Sequence, residues 1–102
     1  MKFVSAFALL ATVAMLFGCT SPNYENTPKV QVLSDIELGQ TSRTKFERLT
    51  QAYGAMYVTE NGVGGGRAQG MLTLEEAKNV ALGKCEEFNP GQDCILYAIV
   101  TP

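Results

Sequence analysis

The hydrophobic and polar positions divide the chain into an apolar head, a polar stretch and a patterned remainder. Residues 3–17, "FVSAFALLATVAMLF", are apolar apart from Ser5 and Thr12. Residues 20–29, "TSPNYENTPK", are polar and hold two of the four prolines, the composition of a tether. In "VQVLSDIEL" the apolar positions 30, 32, 36 and 38 approach strand alternation, which reads as a short strand or an ordered extension of the tether. Thr44 and Glu47 then fit a capping box, with Phe46, Leu49 and Tyr53 at helical spacing. A helical turn is expected near 44–50. Tyr53, Tyr57, Val58 and Thr59 favour a strand over about 51–60.

Asn61-Gly62 follows that strand. The dipeptide predicts a two-residue type I′ hairpin turn, whose two positions need positive φ. The returning strand would occupy 63–71 and is rich in glycine. "TLEEAKNVALGKCEEF" is the clearest element. Thr73 and Glu76 form a T-x-x-E capping box, and Leu74, Ala77, Ala81, Cys85 and Phe88 make one apolar stripe on a helix. Pro90 and Gly91 end it. The apolar run "CILYAIV" at 94–100 reads as a buried central strand. The predicted fold is α+β: a small, mainly antiparallel sheet in ββαβ order, with one amphipathic helix packed on one face.

The apolar head follows Lys2 and is about 15 residues long, short of the roughly 20 that span a bilayer. It reads as a targeting segment. It ends at Leu16-Phe17-Gly18-Cys19, which resembles the lipobox of bacterial lipoproteins, with Phe17 bulkier than the usual occupant. The resemblance implies cleavage after Gly18 and acylation of Cys19, which would anchor the chain to a membrane, because several acyl chains hold far more firmly than one. It also implies the outer membrane, since Thr20 stands where an Asp would retain a lipoprotein at the inner membrane. The expected organisation is a lipoprotein signal peptide over 1–18, a lipidated N-terminus and flexible tether over 19–34, and a small domain over 35–102.

With Cys19 acylated, Cys85 and Cys94 remain, and in an exported protein of this size two cysteines read as one disulfide. A metal pair would need a His or a second cysteine pair, and the chain has neither. The net charge is −2. Arg43, Lys45 and Arg48 form the single basic cluster, too sparse for a nucleic-acid footprint.

The glycine stretch, Gly62 to Gly70, fits no nucleotide motif. Met71 and Leu72 stand where a Walker A loop needs Lys and Ser/Thr, and neither G-x-G-x-x-G register closes. Glu75 and Glu76 at the next helix start would repel a phosphate. Without histidine, the usual general base near neutral pH is absent, as are Ser-His-Asp and Cys-His arrangements. Glu75-Glu76 and Glu86-Glu87 read as solvated helix surface. No catalytic residue, cofactor, metal site or nucleotide partner is expected. Arg67, with Gly64, Gly65 and Gly66, is the candidate binding position.

"YGAMYVTENG", "TLEEAKNVALGKC" and "CILYAI" together resemble a small exported bacterial domain of unknown function over residues 52–98. The resemblance implies the same ββαβ order and a Cys85–Cys94 disulfide, and carries over no catalytic residue. The aromatic positions common in the glycine strand of such domains are missing here. The expected function is a lipid-anchored, non-catalytic binding or accessory protein on the periplasmic face of the outer membrane, meeting an envelope protein or peptidoglycan. The alternative is an inhibitor of an envelope hydrolase such as lysozyme.

Overall fold

The computed structural model describes residues 27–102, so the expected signal segment, Cys19 and most of the expected tether lie outside the described residues. In chain order these residues form strand β1 (Lys29–Val32), helix α1 (Gln40–Glu47), strands β2 (Gly54–Thr59) and β3 (Gly65–Ala68), helix α2 (Leu74–Phe88) and strand β4 (Cys94–Thr101). The strands make one sheet in the order β1-β4-β2-β3, and every neighbouring pair is antiparallel. The α+β class and the ββαβ order over 54–101 are therefore as the pattern predicts, and β4 is a central strand. Lys29–Val32 pairs with β4. It belongs to the sheet, not to a tether ending at 34, because alternation at 30 and 32 suits an edge strand.

Helix α2 starts where local chemistry places it. The Thr73 hydroxyl accepts from the Glu76 amide at 3.1 Å, and the Glu76 carboxylate accepts from the Leu72 amide at 3.3 Å. Ala77 and Ala81 of its stripe are fully buried against Ala55 and Ala68 of the sheet, and Cys85 is fully buried beside Gly66. Small side chains on both surfaces let the helix approach closely. The stripe thins at its end, where Phe88 is 65% exposed.

The opposite face of the sheet is covered as well. Leu38, Leu49, Met56, Val58, Ala98 and Val100 form a second buried cluster, with Ile36, Phe46 and Tyr97 packed against it. The Phe46 and Tyr97 rings meet edge to face at 5.4 Å. Burial on both sides explains why β4 is apolar without alternation. A bulge also breaks its alternation. Met56 faces Ala98 and Tyr57 faces Leu96, leaving Tyr97 unopposed. Tyr97 and Ala98 both join the α1 side, whereas Leu96 and Ile99 join the α2 side. The extra residue brings Cys94 onto the α2 side, where it is bonded to Cys85 with the Cα atoms 6.3 Å apart.

Two local expectations are corrected. The hairpin has no two-residue type I′ turn. Asn61 keeps a negative φ and only Gly62, at +74°, is left-handed. The loop spans residues 60–63, closed by the Gly62 amide on the Thr59 carbonyl and the Thr59 amide on the Gly64 carbonyl. Tertiary bonds decide this: Gly39 N–H donates to the Gly62 carbonyl and the Ser42 hydroxyl to the Val63 carbonyl. Helix α1 begins at Gln40 with Gly39 as its N-cap, ahead of the expected turn. Thr44 does not cap it; its hydroxyl donates back to the Gln40 carbonyl inside the helix.

Candidate functional site

The glycines of β3 are occupied by packing. The Asn89 side chain lies against Gly64, a methyl at Gly65 would sit 2.5 Å from the Tyr57 carbonyl oxygen, and one at Gly66 would sit 2.5 Å from the Ala81 carbonyl oxygen of α2. Arg67 turns to the other side of the sheet, where its guanidinium donates to the Lys45 carbonyl at 3.1 Å. That carbonyl lies in the last turn of α1, where the helix carries partial negative charge. Gln69 assists, donating to the Arg48 carbonyl and accepting from the Thr50 and Gln51 amides. Gly64, Gly65, Gly66 and Arg67 thus do not converge on one cavity: the glycines admit Asn89, β2 and α2, and Arg67 caps α1.

The concave surface lies instead at the tip of the β2–β3 hairpin. Two adjoining hollows share Glu60 and Asn61. One of about 420 Å³ is bounded by residues 36–39, the other of about 270 Å³ by Gly91, Gln92 and Asp93. The tip is braced by side-chain hydrogen bonds. Asn61 Oδ1 accepts from the Thr59 hydroxyl at 2.7 Å and from the Val63 amide at 3.0 Å. Glu37, Glu60 and Asp93 bring exposed carboxylates to the rim. Such an open, acidic surface can bind polar or cationic groups, but solvent screens its charges. Among the described residues no group of three or more His, Cys, Asp or Glu is placed to hold a metal ion.

This cleft joins segments distant in sequence, and no short-range signal in Glu37, Glu60 or Asp93 announces it. The paired carboxylates of α2, Glu75-Glu76 and Glu86-Glu87, are exposed on the helix surface. Among the described residues no helix is long and apolar enough to cross a membrane. The chain matches no family model, and no curated protein or solved structure is detectably similar to it.

Proposed function

We propose that the protein is a lipid-anchored, non-catalytic binding or accessory protein of the bacterial envelope, held on the periplasmic face of the outer membrane through Cys19 and meeting an envelope protein or peptidoglycan. The observation that carries this reading is the sequence Leu16-Phe17-Gly18-Cys19, set between an apolar head and a polar stretch. The Cys85–Cys94 bond supports it, since disulfides persist in oxidising compartments outside the cytosol.

The fold supports a division of labour between its ends. The polar stretch enters the sheet at Lys29, opposite Thr101, whereas the hairpin tip lies beside Cys94 at the other end of β4. Strand rise separates these ends by roughly 20–25 Å. A chain anchored through its N-terminus would present the cleft away from the anchor, towards a partner.

Replacing Cys19 with Ala should abolish labelling by a palmitate analogue in cells; persistent labelling would sink the anchor. A photocrosslinking side chain at Asn61 should trap a specific envelope protein or peptidoglycan. Recovery of neither counts against the binding role.

A further inference from the structure

The hairpin tip carries a reactive pair. Asn61-Gly62 is the chain's single Asn-Gly sequence. The backbone amide nitrogen after an asparagine can attack its side-chain amide, and glycine, without a Cβ, hinders that attack least. Both residues are placed here by the fold. Gly62 has a left-handed φ of +74°, and the Glu37 carbonyl occupies the side where a Cβ would stand. Asn61 Oδ1 accepts from the Thr59 hydroxyl at 2.7 Å and from the Val63 amide at 3.0 Å. A carboxylate would accept the same two bonds. Asn rather than Asp at 61 therefore spares the tip a further charge beside Glu37, Glu60 and Asp93.

We propose that Asn61-Gly62 is a latent site of self-modification, held unreactive by the folded tip and released when Thr59 or residues 36–39 let go. In the reaction the Gly62 nitrogen loses its proton and bonds to Asn61 Cγ as the Cγ–Nδ2 bond breaks. Nδ2 takes up a proton and leaves as ammonia. The product is a five-membered succinimide, which water then opens at either carbonyl to give Asp or isoaspartate. Water enters and ammonia leaves, so no oxidant, reductant or cofactor is required.

The folded tip restrains both reacting groups. The Gly62 amide, the nucleophile, donates to the Thr59 carbonyl at 2.8 Å, and Gly62 is buried, so its proton is shielded from base. The Gly62 carbonyl accepts from the Gly39 amide at 2.9 Å, which holds the residue in place. Thr59 is fully buried, and its hydroxyl accepts from the Gly64 amide at 3.0 Å while it donates to Asn61. Ring closure needs the Gly62 amide to give up its bond to Thr59. It also needs the Asn61 side chain to turn its amide face to that nitrogen, away from its two donors. The tip thus records its own opening, because a transient loss of these contacts becomes a permanent negative charge between the two hollows. Isoaspartate goes further, since it adds a methylene to the backbone of the turn. The inference holds whether or not Cys19 is acylated and whether or not the cleft takes a partner.

Timed incubation of the purified full chain at neutral pH tests it. Conversion is read on the tryptic peptide Leu49–Arg67, in which Asn61 is the only asparagine. The readout is the mass gain of OH for NH2, located by fragmentation, with Asp and isoaspartate separated by chromatography. The native chain should convert at least about tenfold more slowly than the chain unfolded in guanidinium chloride. Thr59→Val keeps the side-chain shape, removes one bond to Oδ1, and should speed conversion of the folded chain roughly three- to tenfold. Ser42→Ala, which frees the Val63 carbonyl, should give a smaller rise, and it replaces Thr59→Val if circular dichroism shows that variant unfolded. Native and unfolded chains converting at one rate would overturn the proposal. So would a folded Thr59→Val chain, or in its place Ser42→Ala, that converts no faster than the native one. That is the result expected if the donors to Oδ1 activated the side-chain amide instead of restraining it.

Discussion

Gly66 of β3 lies directly beneath Cys85 of α2. A methyl group at Gly66 would overlap the Cys85 amide nitrogen and sit 2.9 Å from its Cα. The obstructing atoms are helix backbone and cannot rotate aside. Gly66→Ala should therefore push α2 off the sheet and destabilise the domain by at least about 1–3 kcal/mol, the range for overpacking a filled core. Thermal unfolding followed by circular dichroism measures it. An unchanged midpoint would mean that α2 does not rest on β3 as described.

Gly83 gives the opposite sign. It lies inside α2, is exposed, and a methyl there meets nothing within 4 Å. Glycine in a helix interior is about 1 kcal/mol less favourable than alanine. Gly83→Ala should raise stability by about 0.5–1 kcal/mol in a urea titration. Two Gly→Ala changes in one small domain thus separate a glycine needed for contact from one that merely loosens a helix.

The disulfide closes a short loop, with Cys85 and Cys94 nine residues apart. The chain-entropy model assigns such a loop roughly 2.5–3 kcal/mol. In a domain of this size 1 kcal/mol moves the melting midpoint by about 4–8 °C, so reduction should lower it by roughly 10–24 °C. The Cys85→Ala, Cys94→Ala double variant should behave like the reduced protein and be insensitive to reductant. A reduced protein that melts at the original temperature would contradict this.

What the sequence disclosed follows from how local each determinant is. The start of α2 was legible because Thr73 and Glu76 bond within one turn, and the stripe of Ala77, Ala81 and Cys85 names its buried side. The hairpin was legible as a turn but not as a turn type. Asn61-Gly62 favours a type I′ loop in isolation, yet Gly39 and Ser42, some twenty residues earlier, bond to Gly62 and Val63 and hold a longer one. The bulge at Tyr97 left no trace, because both faces of β4 are buried and apolar residues suit either side. The cleft was invisible for the same reason as the turn type: residues 36–39 reach the hairpin tip only through tertiary bonds.

Gly62 tests that tertiary control. Its φ of +74° is left-handed, and a methyl there would collide with the Glu37 carbonyl oxygen and lie 3.3 Å from Ile36 Cγ2. Gly91 shares the backbone conformation, with φ of +83°, but a methyl there meets nothing within 4 Å. Alanine at either position carries the left-handed cost of about 1–2 kcal/mol; only at Gly62 does a steric cost of about 1–3 kcal/mol add to it. Gly62→Ala should therefore lose roughly 2–5 kcal/mol against about 1–2 for Gly91→Ala. The surplus is confined to the contact with Glu37, so amide exchange should speed up at Gly39, whose N–H is held by the Gly62 carbonyl. Equal losses at the two glycines would show that residues 36–39 do not shape the hairpin tip, and the cleft between them would lose its wall.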